Sequence, residues 1–139
     1  MTRDNFLRFM HKADKYFPIH LSSKTDLEQY AEKLWNNATF VSVEEGGEIQ
    51  ALLAGYTNSG TPAYISMVAV VPEKRHRGLG TYMVRQFQNI CRGKGIRAVH
   101  LYTFPGNTHA IHMYEEAGFV RYTPENEIRP EDTHLICYL

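Results

Sequence analysis

The stretch VAVVPEKRHRGLGT, from Val68 to Thr81, decides the fold of this chain. Its first residues are small or β-branched and apolar, as in a buried strand. A basic segment, Lys74 to Arg77, leads into Gly78-Leu79-Gly80, where the apolar spacing becomes helical. Because a helix N-terminus has unpaired N–H groups and partial positive charge, it attracts anions, and glycine lets an anion approach the backbone closely. The stretch therefore predicts a strand, a turn suited to a pyrophosphate, and a helix.

Two common nucleotide-binding motifs are absent from this turn. The sequence has no GK[ST], which excludes the phosphate loop of NTPases. The third glycine of a GxGxxG motif would fall at position 83, which is Met83, and no acidic residue follows at about 20 positions to bind a ribose. The sequence therefore predicts an anion-binding turn that is neither an NTPase phosphate loop nor a dinucleotide-binding motif.

Secondary structure can be predicted on both sides of this stretch. We expect two helices first, one with apolar residues from Phe6 to Phe17 that ends at Pro18, and one that starts in a Thr25–Glu28 capping box. Strands, helices and loops follow in this order: strands Thr39–Glu44, Glu48–Thr57 and Ala63–Val71, helix Gly78–Lys94, strand Ala98–Thr103, helix Asn107–Ala117, strand Val120–Thr123, a polar loop Pro124–Thr133, and strand His134–Leu139. The short connections predict an antiparallel meander, followed by a right-handed strand–helix–strand crossover.

Size and composition limit the classes of function. The 139 residues (16.0 kDa) predict one domain, residues 1–139. Fifteen basic and 15 acidic residues give a formal net charge of zero, which argues against nucleic-acid and anionic-membrane partners. No apolar run approaches the ~20 residues of a membrane span. Cys91 and Cys137 form no metal or disulfide motif, so we expect a cytoplasmic protein without a metal.

Two motifs together resemble those of the GNAT superfamily of acyl-CoA-dependent N-acetyltransferases. Arg75 to Gly80 matches its pyrophosphate motif [R/Q]-x-x-G-x-G. Its second motif, N-x-x-A-x-x-x-Y-[EK]-x-x-G-F, matches Asn107 to Phe119. The resemblance covers Ala51 to Tyr122 and implies an α/β (α+β) fold. In that fold a mixed, mostly antiparallel sheet has a central splayed parallel strand pair, with helices on both faces.

The resemblance also implies which residues bind acetyl-CoA. The backbone of Val68, Ala69 and Val70 would pair with the pantetheine arm. The loop residues Arg75, His76, Arg77, Gly78, Leu79, Gly80 and Thr81 would bind the pyrophosphate. Asn107 would bind the cofactor near the next helix, and Tyr114 would protonate the leaving thiolate. Packing on the core for Tyr114 and helix capping for Asn107 remain alternatives.

The chain departs from the family where a base is expected. Many relatives carry a glutamate five residues before the asparagine, and here that position is Tyr102. Tyr102 then lines the acceptor pocket, or a water chain carries the proton. His100 and His134 are alternative bases, although a strand histidine is more often structural. We expect the acceptor to contact Tyr56, Asn58, Tyr64 and Tyr102, together with the segment Phe17 to Ser23.

The favoured hypothesis is direct transfer of an acetyl group from acetyl-CoA to a primary amine of a small molecule or sugar. Acetylation of a protein amine or a hydroxyl is the alternative enzyme hypothesis. An acyl-CoA sensor without turnover is the alternative from another class. The walls predicted for the acceptor are aromatic and polar with few charges, which disfavours a strongly basic peptide. The protein would be a monomer or a homodimer.

Overall fold

The protein folds around one six-stranded sheet, described here from a computed structural model for residues 1–16 and 26–139. The helices and strands follow the predicted order. They are α1 (Arg3–Ala13), followed by a 3-10 turn (Asp14–Tyr16), α2 (Leu27–Asn37), β1 (Thr39–Glu45), β2 (Glu48–Tyr56), β3 (Ala63–Val70), α3 (Leu79–Gly93), β4 (Ala98–Thr103), α4 (Thr108–Glu116), β5 (Val120–Arg121) and β6 (Thr133–Tyr138). Within the two described segments, no helix combines the length and apolarity that a membrane crossing requires.

The sheet has the order β1-β2-β3-β4-β6-β5. β3 and β4 are parallel, and the other neighbouring strands are antiparallel. The predicted α/β class, with a mixed and mostly antiparallel sheet, is confirmed. The parallel pair stands at the centre, where helix α3 makes the crossover that such a pair requires.

β3 and β4 separate soon after they meet. Their pairing consists of Ala63 with Val99 and Tyr64 with His100, and it stops there. On its other edge β3 pairs with β2 along its length, except at Ser66, which is an extra residue between two paired neighbours. Such a bulge bends and twists a strand locally. The predicted splay of the parallel pair is therefore confirmed, and the bulge lies where the gap begins.

Helices cover both faces of the sheet, as predicted. On one face α3 and α4 pack through residues such as Phe87 and Tyr114 against Leu53, Val99 and Leu101. On the other face α1 and α2 pack against β2 and β3, mainly through Phe6, Phe9, Met10 and Leu34. Apolar residues spaced three to four apart on each helix account for this, because they form one buried stripe.

One predicted helix start was wrong. Helix α2 is capped by Asp26, whose side chain accepts a hydrogen bond from the backbone N–H of Gln29 at 3.1 Å. The predicted N-cap was therefore one residue too early, and Thr25 itself lies outside the described residues. An aspartate and a threonine at adjacent positions compete for the same role, and a carboxylate is the stronger acceptor at a helix N-terminus. Phe17 and Pro18 lie outside the described residues.

We expect Gly55→Ala to lower the free energy of unfolding by about 1–3 kcal/mol, the usual cost of overpacking. A Cβ at Gly55 would lie 2.4 Å from Cζ of the buried Phe87 ring and 3.0 Å from the backbone oxygen of Tyr64. Urea unfolding measures the effect. Gly93→Ala is the control, because a Cβ there meets nothing within 4 Å. An unchanged stability for Gly55→Ala would contradict the packing described here.

Candidate active site

A cavity of about 820 Å³ occupies the gap between β3 and β4. One wall is β3, from Tyr64 to Val70, and the opposite wall is the end of β4 with Phe104 and Asn107. The turn before α3 and the side of α4 close one end. Most of the predicted site residues line this cavity: Tyr64, Val68, Ala69, Val70, Arg75, His76, Gly78, Leu79, Gly80, Thr81, Tyr102, Asn107 and Tyr114. The splay of the strands therefore brings together residues far apart in the sequence.

The turn before α3 presents free backbone donors. His76 and Gly78 both have positive φ, 63° and 79°, and Gly78 is the N-cap of the helix. Within residues 1–16 and 26–139, the N–H groups from His76 to Thr81 have no hydrogen-bond acceptor, and the first bond of the helix runs from Tyr82 N–H to the Gly78 carbonyl. Successive N–H groups in such a turn form a concave anion site.

Glycine at position 80 is explained by close packing. A Cβ there would lie 2.6 Å from Sδ of Met113, which lines the same cavity from α4. A larger residue would therefore crowd both Met113 and the free N–H groups. A Cβ at position 80 therefore requires the flexible Met113 side chain to shift, whereas Gly78 needs glycine for its backbone conformation.

The basic side chains of the turn differ in where they lie. Arg75 Nε donates to the Val70 carbonyl at 3.1 Å, and its guanidinium lies 5.3 Å from the ring centre of Tyr16. Arg75 thus holds the turn against the end of β3. The ring of His76 contacts that of His109 at 4.9 Å. Arg77 is exposed and is not among the described residues that line the cavity.

Asn107 and Tyr114 lie on the α4 side of the cavity. Asn107 is the N-cap of α4, but its side chain makes no capping bond and instead donates to Thr103 Oγ1 at 3.4 Å. The Tyr114 ring packs on Phe119, and the residue is only 7% exposed. Within the described part of the chain its hydroxyl has no hydrogen-bond partner. Burial raises the pKa of Tyr114 above its usual range, so the phenol keeps its proton at physiological pH.

Tyrosines dominate the other end of the cavity. Tyr64 and Tyr102 lie 6.4 Å apart between ring centres, and the Tyr30 hydroxyl forms a 2.6 Å hydrogen bond with Ser66 at the bulge. Tyr56 stacks on Tyr64 but does not itself line the cavity, and Asn58 also lies outside the described lining. The predicted contacts at 17 to 23 fall outside the described residues.

Glu127 and Arg129 are residues of this region that the sequence did not single out. Tyr102 donates a 2.7 Å hydrogen bond to Glu127 Oε1, and this bond is the main cause that holds the pKa of Glu127 at about 2. Burial raises the pKa of Tyr102 to about 12. Arg129 lines the cavity with its guanidinium 4.7 Å from the Tyr102 ring centre, and it forms an ion pair with Asp132. The loop that carries them has no periodic pattern, so no sequence signal could have placed them.

Comparison with known proteins agrees with this geometry. The model of the acetyltransferase (GNAT) family matches residues 6–119, which is most of the chain. The chain belongs to the GNAT acetyltransferase family. The splayed strands β3 and β4 and the turn before α3 all lie within the matched residues of this GNAT domain.

Two relatives of this GNAT chain show the range of the family. N-alpha-acetyltransferase 30 of Schizosaccharomyces pombe is 29% identical over 97 residues, 68% of this chain and 65% of the relative. L-2,4-diaminobutyric acid acetyltransferase of Virgibacillus pantothenticus is 29% identical over 102 residues, 69% of this chain and 64% of the relative. The chain thus spans slightly less than two thirds of the length of these two relatives.

A solved structure shares the whole fold. PaiA N-acetyltransferase from Thermoplasma acidophilum, in complex with coenzyme A, superimposes with a TM-score of 0.77 over 100% of this chain and 96% of that one, at 15% identity. At that identity the likeness shows the fold alone. The predicted GNAT fold is confirmed.

We expect Gly80→Val to weaken acetyl-CoA binding at least about tenfold, which corresponds to 1.4 kcal/mol. The added side chain would crowd Met113 and the free N–H groups of the turn. Isothermal titration measures the affinity. Gly93→Val is the matched control, because it changes the same helix at a position where a Cβ meets nothing within 4 Å. An unchanged affinity of Gly80→Val for acetyl-CoA would show that the turn does not bind this ligand.

We expect Glu127→Gln to lower the free energy of unfolding at pH 7 and to leave it unchanged near pH 2. The folded pKa of Glu127, about 2, lies below the ordinary value of 4.5, so the carboxylate stabilises the fold above pH 4.5. That stabilisation is lost as the pH falls from 4.5 toward 2. Urea unfolding across this range measures it, with Glu125→Gln, an exposed change on the same loop, as the control. A pH-independent difference would show that the charge of Glu127 is not involved.

Proposed function

We propose that this chain transfers the acetyl group of acetyl-CoA directly to a primary amine of a small molecule. One observation carries the proposal: the cavity between the splayed strands joins a turn of free N–H donors to Tyr114, a buried tyrosine whose hydroxyl has no partner among the described residues. An anionic thioester substrate needs both features, one for its phosphates and one for its leaving sulfur. The sequence motifs and the family membership of the chain support the same function.

The residues of the cavity fit acetyl-CoA. The free N–H groups from His76 to Thr81 offer donors to the pyrophosphate, and Lys74 and Arg75 add positive charge at the same end of the cavity. Among the described residues, the edge of β3 that faces β4 has no strand partner beyond Tyr64. Apart from the Val70 carbonyl, which accepts from Arg75, its backbone groups are therefore available to pair with the amide groups of the pantetheine arm. No metal is required in this proposal.

The same edge serves the transfer itself. A backbone N–H near the bulge at Ser66 would polarise the thioester carbonyl, as an oxyanion-hole donor does. The amine attacks the carbonyl carbon, the carbon–sulfur bond breaks, and Tyr114 donates its proton to the departing sulfur. The raised pKa of Tyr114 keeps that proton in place before transfer.

The acceptor end of the cavity favours a small molecule. Its walls include Tyr30, Tyr64, Tyr102, Ser66 and Arg129, and Glu116 is the one carboxylate among the described residues that line the whole cavity. A strongly basic peptide would find little negative charge there. The relative named for L-2,4-diaminobutyric acid supports a small amine, while the relative named N-alpha-acetyltransferase 30 supports the alternative of a protein amine.

Thiol release tests this function. The wild-type chain is mixed with acetyl-CoA and a set of amines: diamino acids, amino sugars, polyamines and short peptides. Free CoA thiol is measured, and we expect release with at least one small amine. Release with peptides alone would move the acceptor class to protein amines. Binding of acetyl-CoA without release from any amine would support a sensor instead.

We expect Tyr114→Phe to lower kcat by about 100-fold, the lower end of general acid catalysis, because a thiolate is already a fair leaving group. The phenylalanine ring keeps the contact with Phe119, so the affinity for acetyl-CoA should stay the same. Steady-state kinetics and titration measure the two quantities. Tyr138→Phe, at an exposed residue outside the described lining, is the control. A wild-type kcat in Tyr114→Phe would leave Tyr114 as a packing residue.

A further inference from the structure

Three side chains from different parts of the chain form a hydrogen-bonded series beside the acceptor end of the cavity. His100 Nδ1 lies 2.8 Å from His134 Nε2. His134 Nδ1 lies 2.8 Å from Glu127 Oε2, and the other oxygen of Glu127 accepts from the Tyr102 hydroxyl and from the Arg129 backbone N–H. Neighbouring strands and the loop between β5 and β6 therefore hold the series in place.

The charge of Glu127 fixes where the protons of both histidines lie. An ionised Glu127 only accepts, so His134 donates to it through Nδ1–H. In neutral His134 the other nitrogen, Nε2, is then an acceptor, and His100 must donate to it through its own Nδ1–H. This leaves Nε2 of His100 with a free lone pair, and no described residue is hydrogen-bonded to it. The series ends in a basic nitrogen.

The free end of the series lies beside two tyrosines that line the cavity, although His100 itself is not among the described lining residues. The ring centre of His100 is 5.1 Å from that of Tyr64 and 6.2 Å from that of Tyr102, and both tyrosines line the cavity. His134 is buried at 7% exposure, whereas His100 is partly exposed. Of the two histidines, His100 is therefore the more accessible one, and a bridging water would link its ring to an acceptor in the cavity.

The surroundings keep His100 neutral and available. Burial, helped by the neighbouring His134, lowers its pKa, while the charge of Glu127 acts in the opposite direction. The titratable and charged groups around it are Tyr64 from β3, Tyr102 from β4, His134 from β6, and Glu127 and Arg129 from the loop before β6. A neutral imidazole at pH 7 is ready to take a proton.

We propose that His100 is the general base that deprotonates the acceptor ammonium, with His134 and Glu127 as positioning residues that fix its tautomer. The proposal rests on the acetyl transfer proposed above. Nε2 of His100 takes one proton from the ammonium through one water, and the electron pair of that N–H bond stays on nitrogen. The neutral amine then attacks the thioester carbonyl, and the sulfur leaves with the pair of the broken carbon–sulfur bond. Tyr114 protonates that sulfur, and the second amine proton, released as the amide forms, restores Tyr114 through solvent.

The pH dependence of kcat/KM tests the base. In the wild type, kcat/KM for the best amine found by thiol release should rise with pH and level off above the pKa of His100. In His100→Gln it should be about 100-fold lower at pH 7 and should keep rising toward the pKa of the amine itself, about 10.4 for a lysine-like amine. Glu127→Gln should move the wild-type rise to lower pH, because the carboxylate raises the pKa of His100. His11→Gln, an exposed change on α1, is the control.

The outcomes of this experiment separate the general base from the acetyl transfer. Thiol release by the wild type, with an unchanged level and pH rise in His100→Gln, would overturn the base and leave the acetyl transfer standing. Unchanged acetyl-CoA affinity and circular dichroism in His100→Gln show that a loss of rate is not a loss of fold. A purely structural role for Glu127 would change the level of the profile without moving it along the pH axis.

Nitrogen NMR of the histidine rings tests the series without any turnover. We expect His100 and His134 both as the Nδ1–H tautomer at pH 8, and a lower pKa of His100 in Glu127→Gln. If no amine releases thiol, the acetyl transfer fails, and this measurement still decides the hydrogen-bonded series. An Nε2–H tautomer of His100 would overturn the proposal, because its lone pair would then face His134 instead of the acceptor.

Discussion

The separation of β3 from β4 is the constraint on which the rest of the structure depends. Two parallel strands that pair along their whole length leave no room between them, whereas these two stop pairing after Tyr64 and His100. The bulge at Ser66 lies at that point, where it turns β3 away while β3 keeps its pairing with β2. The gap exposes backbone groups of β3 that would otherwise be satisfied by β4, and it creates a cavity inside a continuous sheet.

Helix α3 links the stability of the fold to the site. Its buried face, with Met83, Val84 and Phe87, packs on the sheet beside Gly55, while its N-terminus forms the turn of free N–H groups. The position of that N-terminus is therefore set by core packing and not by the loop alone. A rigid support of this kind keeps backbone donors oriented at low entropic cost, which favours binding of a charged substrate.

A polar network joins β4, β6 and the loop before β6. Tyr102 and His134 are direct partners across the two strands, with rings stacked 4.2 Å apart. Their polar atoms converge on Glu127, so a buried histidine and a carboxylate satisfy each other. Such a network is stable only when its members are paired, which explains why aromatic, imidazole and carboxylate groups occur together there.

The sequence by itself determined the order of the helices and strands, the phosphate-type turn at Gly78 to Gly80 and the helix from Asn107. These features depend on residues close together in the chain, where spacing and backbone preference act directly. It could not choose Asp26 over Thr25 as a helix cap, since both fit the local rule. Only the tertiary structure brought Glu127 to Tyr102, 25 residues away, and His134 to His100, 34 residues away. The register between β4 and β6 and the path of an irregular loop set those contacts, and neither leaves a periodic signal in the sequence.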